Sequence, residues 1–146
     1  MIDKFVDYYH FLSNFYMRPF VFDGIEYKSV EHAYQSFKSN NDDEREYIRN
    51  LSTASETKKA GRLVNMREDW EDIKYNLMLD LVRAKFQDVY LCKLLMETLN
   101  NTLIEGNTWH DNVWGDCKCE SCSKVEGKNW LGEILMIVRE ESKINF

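Results

Sequence analysis

Three helix-start signals follow one another closely, at Ser29, at Asn41 with Glu44, and at Thr53 with Glu56, and they fix most of what this chain can become. A Ser, Thr or Asn side chain that accepts an N–H two or three residues further on closes an extended segment and opens a helix. A Glu three positions later completes a reciprocal pair. The first signal predicts a helix from Val30 to about residue 39. The second predicts a short helix carrying Tyr47 and Ile48, and the third a helix ending near Gly61. Just before them, Pro19-Phe20-Val21-Phe22-Asp23-Gly24-Ile25-Glu26-Tyr27 reads as a hairpin, because Asp-Gly supplies the positive φ that a tight primed turn needs. Residues 69–99 place Ile73, Leu77, Leu81 and Ala84, then Leu94, Leu95 and Leu99, at helical spacing and predict one or two long core helices. A turn-rich stretch over 100–128 holds a short strand at 102–105, and Trp130, Ile134, Leu135 and Val138 predict a C-terminal amphipathic helix. The expected fold is mostly α (α+β): a single compact helical domain over residues 1–146, with a small N-terminal β-hairpin and a short additional strand.

Composition agrees with one packed domain. A chain of 146 residues with 44% hydrophobic content, eight Phe, eight Tyr and four Trp can bury roughly two-thirds of its unfolded surface without staples. The formal charge of −6 argues against non-specific attraction to nucleic-acid phosphates, although one local basic pocket can still hold a phosphorylated ligand. No apolar run approaches the ~20 residues that span a bilayer, and the opening residues lack a signal-peptide pattern, so no membrane partner and a cytoplasmic location are expected. The four Cys are then expected as reduced thiols.

Three groups of residues could carry chemistry. On the Ser29-capped helix, Val30, Ala33, Tyr34 and Phe37 make an apolar arc, and Glu31, Gln35 and Lys38 fall together on its flank. A carboxyl group can protonate a departing base, and a partly desolvated Lys can attack a sugar aldehyde carbon to form an imine. The plain alternative is the solvated edge of an amphipathic helix. The second group is Trp109-His110-Asp111-Asn112-Val113-Trp114-Gly115 with Asn129-Trp130-Leu131-Gly132, where indoles can stack on a flat base or simply fill core. The third is Cys117, Cys119 and Cys122 with His110, which resembles part of a structural zinc site. Only Cys119-x-x-Cys122 has standard spacing, and a reduced loop is the alternative. Cys92, on an apolar helix face, reads as packing. There is no G-x-S-x-G elbow, Walker loop or dinucleotide glycine fingerprint.

Phe11-Leu12-Ser13-Asn14-Phe15-Tyr16, Gly24-Ile25-Glu26-Tyr27 and Ser29-Val30-Glu31-His32-Ala33-Tyr34-Gln35 resemble the opening signature of the NADAR family, also called YbiA-like N-glycosidases. The resemblance continues through Gly61-Arg62, Arg67-Glu68-Asp69-Trp70, Arg83-Ala84-Lys85-Phe86, Asp111-Asn112-Val113-Trp114-Gly115, Asn129-Trp130-Leu131-Gly132 and Leu135-Met136, and so covers about residues 11 to 139. It implies an N-glycosidase that requires no cofactor and acts on ribose attached to a base or amine. Two substrate classes go with it: ADP-ribose on guanine in nucleic acid, which makes nucleic acid a transient partner, and phosphoribosylated pyrimidine intermediates of riboflavin synthesis. For the first, the resemblance implies a Lys imine, and the matching position is Lys38. By the same carry-over Glu31 or Asp111 assists protonation of the base. Asn14, Phe15, Tyr16, Tyr27 and Gln35 border the pocket, Arg62 pairs with phosphate, and Trp109, Trp114, Gly115, Asn129 and Trp130 hold base or ribose. The reading places the substrate between the helix at 30–39 and the loops at 109–132. Its rivals are direct water attack with Glu31 as base, and a non-catalytic module that binds ADP-ribose. The segment Cys117–Cys122 departs from shorter relatives, and the loop's structure and the substrate preference turn on it.

Overall fold

Asp23 and Gly24 both take positive φ, 53° and 79°, so the expected primed turn closes β1 (Phe20–Phe22) onto β2 (Ile25–Tyr27) with Phe22 opposite Ile25. The computed structural model describes residues 1–144. The chain divides into two compact units, Asn14–Asp88 and Met1–Ser13 with Val89–Phe146.

In the unit Asn14–Asp88, the helices begin where the caps predict. Ser29 accepts from the His32 N–H and opens α1 (Val30–Ser36). Asn41 accepts from the Glu44 N–H and opens α2 (Asp42–Arg49). Thr53 accepts from the Glu56 N–H, donates its hydroxyl to the Glu56 carboxylate at 3.0 Å, and opens α3 (Ala54–Gly61). The long helix α4 (Trp70–Lys85) completes the unit. Its fully buried residues are Trp70, Met78, Leu81, Val82 and Lys85. Ile73, Leu77 and Ala84, expected on that stripe, are only half-buried. All seven residues of α1 are buried, Glu31, His32, Gln35 and Ser36 among them. It packs against α2, α3 and α4, so the solvated-edge reading of this helix fails.

His32 shows how a polar residue is accommodated there. Its Nδ1 lies 2.7 Å from the Ser29 hydroxyl and its Nε2 2.8 Å from the Leu51 carbonyl. Burial lowers its pKa, while the Leu51 carbonyl opposes this. α1 also ends earlier than its periodicity predicts. The Ser36 hydroxyl turns back to the Ala33 carbonyl at 2.8 Å, and Ser39 leaves the helix to serve α2, accepting from the Asn41 N–H and donating to Glu44.

The other unit is built on α5 (Val89–Glu97) and α6 (Trp130–Ile144), which pack together. α6 buries Ile134, Leu135 and Val138, as its pattern predicts, while Trp130 is only half-buried and Leu131 is buried beside it; α5 buries Cys92. The strand expected at 102–105 is not formed. Leu103 makes one parallel bridge to Ile2, and the strands are instead β3 (Gly106–Asn107) and β4 (Asp116–Cys117), paired in parallel. An additional 3₁₀ turn spans Asp7–Leu12. Mostly helical with a minor β part is the fold class, as expected.

Gly132 lets α6 approach its neighbour closely, since a Cβ there would sit 2.1 Å from the Leu103 carbonyl oxygen. Backbone cannot retreat as a side-chain tip can. Gly132→Ala is therefore expected to destabilise the chain by about 1–3 kcal/mol, read as a lower urea midpoint at unchanged slope.

Candidate active site

In the unit Asn14–Asp88 the site begins where α1 stops. Lys38 lies two residues past the end of α1, in a segment held by two backbone links. The Arg67 N–H donates to the Lys38 carbonyl at 2.7 Å, and Ser39 bridges Met66. The Lys38 side chain is half-buried, with Nζ 5.9 Å from the Tyr34 ring centroid and 6.0 Å from that of Trp70. The two rings tilt against each other with centroids 4.9 Å apart. Burial pushes the Lys38 pKa down, Glu31 pulls it back, and the cations of Arg62, Lys74 and Lys58 push it down again. An amine in such surroundings is neutral more often than a surface lysine, and a neutral amine is a nucleophile.

Glu31 is 7% exposed. Its Oε1 accepts from the Gln35 amide at 2.7 Å, and its N–H donates to the Asn14 carbonyl at 3.0 Å. Among the described residues the buried Asn14 Oδ1 has no partner, while the Asn14 amide reaches the Met78 sulfur at 3.5 Å. Gln35 Oε1 is also unpaired and packs against Gly61, where a Cβ would lie 1.9 Å away. Glu31, Gln35, Asn14, Lys38 and Arg62 thus belong to one neighbourhood. Phe15 has the Lys58 ammonium 5.9 Å from its ring centre, and Tyr16 has that of Lys85 at 5.6 Å. Lys85 itself is 3% exposed and also faces Phe86 at 5.2 Å. Tyr27 sits in an aromatic cluster with Phe20 and Phe37, and burial raises its pKa.

The sequence reading missed Lys58 and Lys74. Each lies on a helix face that looks ordinary by periodicity, and only the packing of α3 and α4 around α1 brings their charge to bear on Lys38. The Trp70 ring, with that of Tyr34, lines the amine's surroundings, which its place in the sequence does not reveal. A hollow of about 550 Å³ lined by Tyr47, Ile48, Leu51, Ala60, Leu63 and Val64 lies elsewhere in this unit. It includes neither Lys38 nor Glu31.

In the other unit, the residues at 107–132 form a loop cross-linked by side chains. The Asn107 Oδ1 accepts from the N–H groups of Trp109 and Asp111, and its amide donates to the Asp111 carbonyl at 2.8 Å. This buried Asn was not singled out from sequence. Asp111 Oδ1 accepts from the N–H groups of Val113 and Trp114 at 3.1 and 2.9 Å. Asn129, at φ 52°, accepts from the Glu105 N–H and donates to the Leu103 carbonyl, both at 2.9 Å. Its amide is therefore taken up by backbone. Gly115 is a close-packing position, since a Cβ there would lie 2.2 Å from the Glu105 carbonyl oxygen. Trp114 and Trp130 meet edge to face at 5.5 Å, the Lys128 ammonium lies 5.0 Å from the Trp130 ring centre, and Trp109 is exposed. His110, Cys117, Cys119 and Cys122 place one ligand atom each within 4.8 Å of all the others. The imperfect spacing along the chain conceals this convergence.

The NADAR domain family profile matches residues 3–143. N-glycosidase YbiA of Escherichia coli is 36% identical over 141 residues, covering 94% of this chain and 84% of that one. A riboflavin biosynthesis protein of Vibrio vulnificus is 34% identical over 134 residues, 90% of this chain but 35% of that longer protein. The solution structure of Escherichia coli YbiA superposes with a TM-score of 0.84 at 33% identity, covering 99% of this chain and 88% of that one.

Proposed function

The chain belongs to the NADAR family, and from that premise we propose that it hydrolyses the N-glycosidic bond between a ribose and a base, with Lys38 as the amine that captures the sugar. The observation that carries this reading is the setting of Lys38: half-buried against Tyr34 and Trp70, balanced between the charge of Glu31 and three cations. The N-glycosidase name of the YbiA relatives supports the bond type.

The ribose ring opens as its ring oxygen gains a proton, and the neutral Lys38 amine adds to C1′. The base leaves with its bonding electron pair and a proton, and Glu31 is the group we assign to deliver that proton. The Lys38–C1′ imine then takes up water, which restores the amine and releases the sugar as an aldehyde. One water is consumed, and no oxidant or reductant is needed.

We place ADP-ribosylated guanine first among substrates, because the Lys imine implied by the family resemblance belongs to that class. Arg62, Lys58 and Lys74 add positive charge of the kind a diphosphate would meet. Riboflavin-named relatives favour a second reading, hydrolysis of a phosphoribosylated pyrimidine intermediate. Side-by-side incubation with an ADP-ribosylguanine oligonucleotide and with the phosphoribosyl intermediates, following base release, separates the two. Release from the oligonucleotide alone supports the first reading, and release from the pyrimidine alone replaces it with the second. Tight binding of ADP-ribose with no base released from either leaves a binding module and overturns both.

A further inference from the structure

The geometry points to a structural zinc(II) site formed by His110, Cys117, Cys119 and Cys122, which fastens the loop that carries Asp111 and Trp114. A tetrahedral zinc with sulfur at about 2.3 Å and nitrogen at about 2.0–2.1 Å sets its S···N edges near 3.6 Å and its S···S edges near 3.8 Å. The His110 Nδ1 lies 3.4 Å from Cys119 Sγ and 3.4 Å from Cys122 Sγ. All four ligand atoms fall within 4.8 Å of one another. Two of the six edges, from the His110 nitrogen to Cys119 and Cys122, are therefore close to the length a shared metal requires, and none of the others exceeds 4.8 Å.

The surroundings are those of a ligand set. The Cys122 N–H donates to the Cys119 carbonyl at 3.2 Å, so the Cys119-x-x-Cys122 turn aims both sulfurs to one side. The Asn112 amide points at Cys122 Sγ, 3.4 Å away. N–H groups directed at a ligating sulfur are a usual outer layer of such sites and tune the metal's hold. His110 holds a left-handed backbone, φ 67°, which is uncommon for a residue with a Cβ and needs support from its surroundings. Three sulfurs and one nitrogen in a tetrahedral arrangement select zinc over magnesium or calcium, which prefer oxygen.

A metal also answers a packing deficit. Between residues 118 and 128 only Cys122 is fully buried, so this segment has almost no apolar core of its own. A four-ligand cross-link supplies order where hydrophobic burial cannot. Asn112 passes that order on: its Oδ1 accepts from the Cys117 N–H at 2.9 Å, and its carbonyl accepts from the Lys128 N–H at 2.8 Å. The zinc would thus set the positions of Asp111 and Trp114 on either side of Asn112 without touching substrate. Binding exchanges thiol protons for the metal ion and changes no oxidation state.

The test is metal analysis of the full chain purified under reducing conditions without chelator. One zinc per chain is expected, and refilling with cobalt(II) should give the visible bands and sulfur-to-metal charge transfer of a tetrahedral thiolate site. Cys119→Ser and His110→Ala should lose the metal, and Cys92→Ser should keep it. Asn112→Ala should weaken zinc by about tenfold or more, read by competition with a chromogenic chelator. Only trace zinc with no cobalt spectrum overturns the proposal, as does a Cys119–Cys122 disulfide in freshly isolated protein or full zinc content in Cys119→Ser. If the single-ligand variants do not fold, the cobalt spectrum of the unaltered chain decides. None of these readouts depends on substrate, so the metal site stands or falls apart from the glycosidase reading.

Discussion

Lys38→Ala is expected to lower base release by at least about 10³-fold, because it removes the nucleophile and leaves only binding and proton transfer to accelerate the reaction. Sodium borohydride added during turnover should trap a ribose adduct on the unaltered chain, and peptide mass spectrometry should locate it at Lys38. The substitution is expected to leave the fold in place, since the Lys38 segment is held by its backbone through Arg67 and Met66 rather than by the amine. Full activity in Lys38→Ala would remove the covalent step. A trapped adduct at Lys85 would move it to the other buried amine of this unit.

For Glu31→Gln the expected loss is on the order of 10²–10⁴-fold, the usual contribution of a positioned acid or base. The stronger evidence is the direction of the pH profile. The carboxylate of Glu31 stabilises the Lys38 ammonium, so its removal lowers the amine pKa further. The neutral amine then persists to lower pH, and the limb of the rate profile that reports its deprotonation should move acidward. Arg62→Ala does the opposite. It removes a positive charge that disfavours the ammonium, the amine pKa rises, and the same limb should move to higher pH. Shifts of the same sign in both variants would rule out this electrostatic arrangement. Failure of borohydride to trap any adduct, with Glu31→Gln inactive and Lys38→Ala active, would select direct water attack with Glu31 as base.

Much of the architecture was legible because it is local. Ser29, Asn41 and Thr53 each accept an N–H three residues on, so the start of a helix is written in four consecutive letters. Asp23-Gly24 closes its hairpin for the same reason, and α6 carries its own apolar stripe. The misreadings occur where local preference meets a competitor. Periodicity carries the first helix on to residue 39, but Ser36 and Ser39 have side-chain hydrogen bonds that end it early and begin α2. Residues 102–105 look like a strand, yet Leu103 makes an isolated bridge to Ile2 rather than a ladder. Helical spacing puts Glu31 and Lys38 on one flank but does not say that either is desolvated.

What the sequence alone determined is where α1, α2 and α3 begin, where the hairpin turns, and which residue types are present for the chemistry. What only the tertiary structure decided is the condition of those residues. Glu31 is buried because three other helices surround α1, Lys38 is partly dried by Tyr34 and Trp70, and its charge is opposed by cations from α3 and α4. Caps and turns depend on bonds made within a few residues. Desolvation and charge–charge interaction depend on whatever distant segments the fold brings alongside, and so does the meeting of His110 with three thiols.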